Sequence, residues 1–203
     1  MNDPVRTLES LELVGGALCL DFANTVNSRL RTEHDYVIQY SDLVGWANKA
    51  GVLSPTQASQ LQKRASQARE NADEALSRAR SIRELFYRVF SNAASGSEPD
   101  RKDTEAFVAT YGEAISHGQL TKDDNHFSPR WDAGETFDAL LWPIVYSAGD
   151  LLLSDELSHV KECPGCGWLF LDTSKNQSRR WCSMNTCGAR DKMRRYHKRQ
   201  RAK

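Results

Sequence analysis

Cys163-Pro164-Gly165-Cys166 is followed, after fifteen residues, by Cys182-Ser183-Met184-Asn185-Thr186-Cys187. Four of the five cysteines in the 203-residue chain stand in this stretch. Two close thiol pairs joined by a short loop meet the sequence requirement of a tetrahedral zinc site, because structural zinc takes four ligands and favours thiolate sulfur. The spacing therefore ties the C-terminal part of the chain to one structural Zn2+ held by Cys163, Cys166, Cys182 and Cys187. Gly165, just before the second thiol, fits a tight knuckle. Trp168 to Leu171 reads as a strand by its aromatic content. Thr173 to Gln177 is turn chemistry, and Arg179-Arg180-Trp181 reads as a returning strand that delivers Cys182. Cys187 stands where a helix begins near Gly188, and a thiolate there is favoured by the helix dipole. Knuckle, hairpin and helix in this order make a small treble-clef-like finger.

Other uses of the thiols fit less well. A redox Cys-x2-Cys sits at the strand–helix junction of a βαβ unit, and the sequence shows none. Iron can replace zinc in such a ligand set. His197 is an alternative ligand, but a histidine among basic residues reads first as a solvated one. Cys19 stands alone in an apolar run and reads as a core thiol. So short a module cannot build a large core, even with Trp168, Phe170, Trp181 and Met193. Structural zinc contributes on the order of 10–16 kcal/mol in small fingers. Chelation is therefore expected to unfold residues 160–203 and leave the rest standing.

The formal net charge of zero conceals a division. Residues 173–203 carry eleven Lys/Arg against one acid, Asp191, and residues 1–172 carry the balancing net −10. Such a basic segment attracts a polyanion, and nucleic acid is the partner it fits best; an acidic protein surface or anionic lipid are the others. On the terminal helix, Ala189, Met193 and Tyr196 form a stripe expected to pack on the hairpin. Arg190, Lys192, Arg194, Arg195, Lys198 and Arg199 form the charged face, with Lys175, Arg179 and Arg180 added from the hairpin. These nine residues are the DNA-binding candidates. One finger covers only a few base pairs, so a homodimer through the other domain is expected.

Residues 1–158 read as a mainly helical domain. Gly16 to Phe22 is either a buried strand or the first turn of a helix. Ser41-Asp42 is a cap for a short helix, and Ser54-Pro55 is an N-cap with proline at the first helical position. Helix formers then run to about Ala94, with a break near residues 67–73. A further helix spans roughly Thr104 to Ser116. Gly118 to Trp131 is a hairpin or an irregular loop. Phe137, Leu140, Leu141, Ile144, Val145 and Ala148 keep helical spacing, and Pro143 within them predicts a kink. The fold class is thus mainly α, an acidic helical domain (1–158) followed by the finger (159–203).

The stretch Cys163-Pro-Gly-Cys-Gly-Trp-Leu-Phe-Leu-Asp172, with Trp181-Cys-Ser-Met184 and Cys187-Gly-Ala-Arg190, resembles the CGNR zinc finger. Gly15-Gly-Ala-Leu-Cys-Leu-Asp-Phe-Ala-Asn-Thr25 resembles the opening of the ABATE domain that accompanies this finger in bacterial proteins. The resemblance implies a stress-induced transcriptional regulator with a C-terminal DNA-binding finger and an N-terminal domain that senses a small-molecule effector. The chain departs from the finger's name at one place: Ala189 stands where the family has Asn. Any contact made by that amide is lost, while the four thiols are unaffected.

Asp21, Asn24 and Thr25 place three polar groups just after an apolar run. With Trp46, Arg83 or Trp142 they are the candidates for an effector pocket; capping roles for Asp21 and Asn24 and core roles for Trp46 and Trp142 are the competing reading. The chain has no Gly-rich phosphate loop, no His-Glu metal motif and no nucleophile with an evident base, so an enzyme is not expected. It has no run long and apolar enough for a membrane span and no basic leader, which points to a cytoplasmic protein. The alternative to a DNA-binding regulator is a zinc-stabilised protein–protein or RNA-binding module without ligand sensing.

Overall fold

A computed structural model describes residues 7–31, 34–132, 134 and 136–201. Lys203 of the basic tail lies outside them. The chain is mainly α. Helices α1 (Leu18–Ala23), α2 (Tyr40–Lys49), α3 (Pro55–Gln67), α4 (Arg69–Ser95) and α5 (Arg101–Ser116) come first. A hairpin of β1 (Gln119–Asp123) and β2 (His126–Arg130) leads to α6 (Trp142–Leu152). The finger contributes β3 (Val160–Glu162), β4 (Leu169–Leu171) and α7 (Ala189–Arg201).

Local signals explain most boundaries. Ser54 caps α3: its hydroxyl accepts from Gln57 N at 3.2 Å while Gln57 Oε1 accepts from Ser54 N at 3.0 Å. This reciprocal pair satisfies two of the donors a helix start leaves open, and Pro55 needs none. The break between α3 and α4 falls at Ala68, which leaves helical geometry (φ −133°, ψ 64°). Helix α2 starts one residue before Ser41. Its N-cap is Gln39, and the Asp42 carboxylate accepts from the amides of Gln39 and Ile38 at 2.9 and 3.0 Å. Asp42 thus works from the third helical position rather than the cap itself.

The run from Gly16 forms helix α1, not a strand. Residues 119–130 form an antiparallel hairpin. Pro143 does not kink a helix: α6 begins at Trp142, so the proline falls in the first turn, where its missing N–H has no helical partner to lose. The apolar residues before it belong to a separate 3-10 turn, Ala139–Leu141.

Helix α1 is buried between α4 and α6, and α5 closes over both of these. The core centres on Phe22, Trp46, Phe86, Phe90, Leu140 and Ile144, all fully buried. Phe22 lies 5.2 Å from Trp46 and Phe86 5.8 Å from Phe107 between ring centroids. This core does not stop at the finger. Leu169 and Phe170 of β4 are fully buried, β3 packs on α4, and β4 packs on α1.

Candidate metal centre and nucleic-acid surface

Strands β3 and β4 pair antiparallel, Val160 with Leu171 and Glu162 with Leu169. The Cys163–Cys166 knuckle is the turn of this hairpin. Cys163 N donates to Trp168 O at 2.8 Å, and Gly167 N donates to Cys163 O at 2.8 Å. Gly167 has φ +74°, and a Cβ there would stand 2.6 Å from Arg29 Cβ, so only glycine fits the exit of the knuckle. A Cβ on Gly165 would come 3.3 Å from the Cys187 sulfur, and glycine leaves that ligand its room.

The returning strand read over Arg179–Trp181 does not form; those residues are irregular. The reason lies at the far edge of β4. Asn24 Nδ2 donates to Leu169 O at 2.7 Å, and Leu169 N donates to Asn24 Oδ1 at 2.9 Å. Leu171 N donates to Gly15 O at 2.7 Å. Groups of the helical domain thus occupy the edge that a strand at 179–181 would need.

The segment after β4 is organised instead by Asp172. Its buried carboxylate accepts from Lys161 Nζ at 2.6 Å, Ser174 Oγ at 2.6 Å and Arg179 N at 2.9 Å. Burial opposes the charge, but Lys161 and Ser174 outweigh it and hold the carboxyl below the ordinary carboxylate range. Met184–Gly188 forms a π-turn that delivers Cys187 at the start of α7.

The four thiols converge and are all buried, with every sulfur within 4.8 Å of the others. Cys166 and Cys182 sulfurs stand 3.5 Å apart, Cys182 and Cys187 3.8 Å. Tetrahedral zinc with bonds of about 2.3 Å needs sulfurs about 3.8 Å apart. Hydrogen bonds from the other three thiols favour ionisation at Cys163, while that charge opposes loss of a proton at Cys166 and Cys182. A divalent cation removes this conflict, so donor chemistry and geometry both fit one structural Zn2+. Cys19 stands apart: burial pushes its thiol up to about 12, as expected for an inert core cysteine.

The comparisons agree with this geometry. Residues 16–155 match the family model ABATE, described as "Putative stress-induced transcription regulator". The chain belongs to the ABATE family. Residues 159–200 match the CGNR zinc finger. No curated protein shows a significant match to the chain. Neither matched family is an enzyme family, and no described helix is long and apolar enough to cross a membrane.

In this ABATE protein the nucleic-acid candidates divide. Arg179 is taken up inside the finger. Its guanidinium lies 4.5 Å over the Phe170 ring and donates to Trp181 O at 3.0 Å, to Val14 O at 3.3 Å and to Cys182 O. Lys175, Arg180, Arg190, Lys192, Arg194, Arg195, Lys198 and Arg199 are exposed. Arg194 and Arg195 both reach the buried Asp191, at 2.6 and 2.9 Å, which orients them on the first turns of α7. The expected packing of Met193 and Tyr196 on the hairpin does not occur; each is 56% exposed. Among the described residues of α7 only Asp191 is buried, so the helix projects from the body. Ala189 is exposed at its first position, where the family's Asn would also face outward.

One cation was invisible to the sequence reading. Arg29 N and Ser28 Oγ both donate to Cys166 O, at 2.7 and 3.1 Å, and Trp168 Nε1 donates to Val26 O at 2.7 Å. This loop of the helical domain clamps the knuckle. It thereby brings Arg31 to a cleft of about 310 Å³ that Arg190 and Arg194 also line. The only sequence signal was a local cluster, Ser28-Arg29-Leu30-Arg31, with nothing to link it to the finger.

The effector candidates do not converge on one cleft. Asp21 accepts from Gly15 N at 2.8 Å, and Asn24 holds β4. Thr25 Oγ1 donates to Phe22 O at 2.8 Å and accepts from Arg83 at 3.3 Å. Arg83 is held by both oxygens of Asp35, at 2.8 and 2.7 Å. Trp46 is a core ring. Burial raises the Asp21 carboxyl to about 6 from an ordinary 3.8, against the amides of Gly15 and Val14, which lower it. The folded state then holds the proton more tightly than the unfolded one. The resulting stability is present below the unfolded value and is lost as pH rises through about 6. Asp21→Asn, which keeps the acceptor, is therefore expected to gain on the order of 1–2 kcal/mol at pH 7.5 and nothing at pH 4. Thermal melts of both proteins at the two pH values check this.

Proposed function

We propose that this protein is a zinc-dependent DNA-binding transcriptional regulator whose N-terminal domain senses a small ligand. The observation that carries the reading is α7: seven Lys/Arg over residues 189–201, exposed, and anchored at one end by a metal ligand. Thirteen residues make a helix of about 20 Å, enough to cross a DNA groove. Asp191 and the Cys187 anchor give it one orientation, so its charge is presented rather than diffused. Arg31 adds a cation from the helical domain, and the hydrogen bonds from residues 24–29 to the knuckle and β4 give that domain a direct mechanical hold on the finger. A ligand that shifts this loop shifts the DNA-binding surface with it.

The test is binding to duplex DNA by fluorescence anisotropy across a salt series. If six cations neutralise phosphates, log K falls with log salt with a slope of about −5. Arg31→Ala is expected to reduce the slope by about one and weaken binding on every sequence alike. Binding without salt dependence would point to a protein partner instead. Stronger binding to an RNA duplex of the same sequence would replace DNA by RNA.

A further inference from the structure

The helical domain contains a cleft of about 290 Å³ bounded by α4, the end of α5, the segment after β2 and the start of α6. Its walls are aromatic. The His117 ring stacks on Trp142, with centroids 4.8 Å apart and planes 10° from parallel. Trp131 also lines it. Its indole N–H is spent on Ala114 O at 2.7 Å, and its ring leans on Tyr146 at 5.3 Å, so it is fixed and offers the cleft a π surface. Ile82 and Leu141 add apolar lining.

The charges around these walls do not balance. Arg78 is matched within the protein: its guanidinium holds both oxygens of Asp138, at 2.9 and 2.7 Å. It therefore leaves no cation to call for an anionic ligand. Glu113 has no ion pair or side-chain hydrogen bond among the described residues. Asp132 accepts from Gly134 N at 3.1 Å through one oxygen. Among the described residues, two carboxylates outside the matched Arg78–Asp138 pair thus face a cleft whose remaining lining is mostly rings and aliphatic carbon, with Thr136.

We propose that this cleft binds a planar aromatic cation, with its ring against Trp131 and the His117–Trp142 stack and its positive charge toward Glu113 and Asp132. Aromatic faces attract a delocalised cation, and the two carboxylates select against neutral and anionic rings of the same shape. The volume suits a small fused-ring molecule. The inference deepens the sensing role proposed above and rests on that role only for its effect on DNA.

The experiment uses the zinc-loaded full chain without DNA. Titration calorimetry with 1-methylquinolinium is expected to show one site per chain. Naphthalene-2-carboxylate, of similar shape but opposite charge, is expected to bind about tenfold more weakly or worse. The double variant Glu113→Gln/Asp132→Asn changes only exposed side chains, and an unchanged melting temperature verifies its fold. It is expected to lose about tenfold in affinity for the cation and none for the carboxylate. Equal binding of the two probes, unaltered cation binding by the double variant, or no saturable heat with 1-methylquinolinium would each overturn the site. Cation binding that leaves DNA affinity unchanged would keep the site and remove only the sensing role.

Discussion

Stripping the metal with a chelator is expected to weaken DNA binding sharply and release residues 173–201, α7 among them, while β3, β4 and helices α1–α6 stay folded. The division falls later than the cysteine spacing alone suggests. Leu169 and Phe170 are fully buried in the common core, and the far edge of β4 is bonded to Asn24 and Gly15. Those contacts need no metal. Beyond Asp172 the situation reverses, because the burial there is largely Trp181, Cys182, Cys187 and Gly188 around the thiol cluster. Zinc contributes on the order of 10–16 kcal/mol to such sites, comparable with the whole stability of an ordinary domain. An isolated helix the length of α7 is marginal in water, so without its anchor it melts. DNA affinity should fall by about 10²-fold or more at fixed salt, and trypsin should cut at the newly accessible basic residues. Circular dichroism should lose one helix of signal and retain a cooperative melt. A chelated protein that keeps both α7 protection and DNA affinity would refute the metal-anchored surface. Collapse of the entire helical signal would refute the metal-independent core.

Asn24→Ala should strongly destabilise the protein and loosen the finger. The side chain is 1% exposed and uses its two ends on one residue, accepting from Leu169 N and donating to Leu169 O. Alanine leaves a buried donor and a buried acceptor without partners, at about 1–3 kcal/mol for each. The total, about 2–6 kcal/mol, corresponds to a fall of roughly 4–24 °C in melting temperature for a chain of this size. Metal affinity should weaken with it, since β4 and the knuckle form one hairpin. Thermal melts and competition with a zinc chelator measure the two effects. Asn24→Asp is a sharper probe: it retains the acceptor for Leu169 N but loses the donor to Leu169 O. A variant with unchanged stability and zinc affinity would show that Asn24 does not hold the finger.

The same residue shows how far sequence reasoning reaches. From the sequence, Asn24 groups with Asp21, Thr25, Trp46 and Arg83 as an effector candidate, because polar residues after an apolar run look alike whether they face a pocket or a strand edge. The distinguishing fact is a partner 145 positions away. Arg179 and Arg31 exchanged roles for the same reason. By composition Arg179 belonged to the basic surface and Arg31 to an unrelated loop. Folding puts the first over the Phe170 ring and the second beside α7. Of the aromatic cleft, the sequence offers Trp142 as a pocket candidate but nothing that joins it to Trp131 and His117, which come from two other segments.

What residue order alone determined was everything that acts over a few positions. The four metal ligands followed from thiol spacing, the start of α3 from Ser54, Pro55 and Gln57, and the division into acidic and basic parts from the count of charges. These are local because a helix cap, a knuckle and a charge density each depend on neighbours in the chain. Tertiary structure decided which strand pairs with β4, what closes its other edge, and which cations remain exposed. Backbone hydrogen bonds and buried rings take whatever partner the packed core brings to them, and that partner is set by the fold of the whole chain.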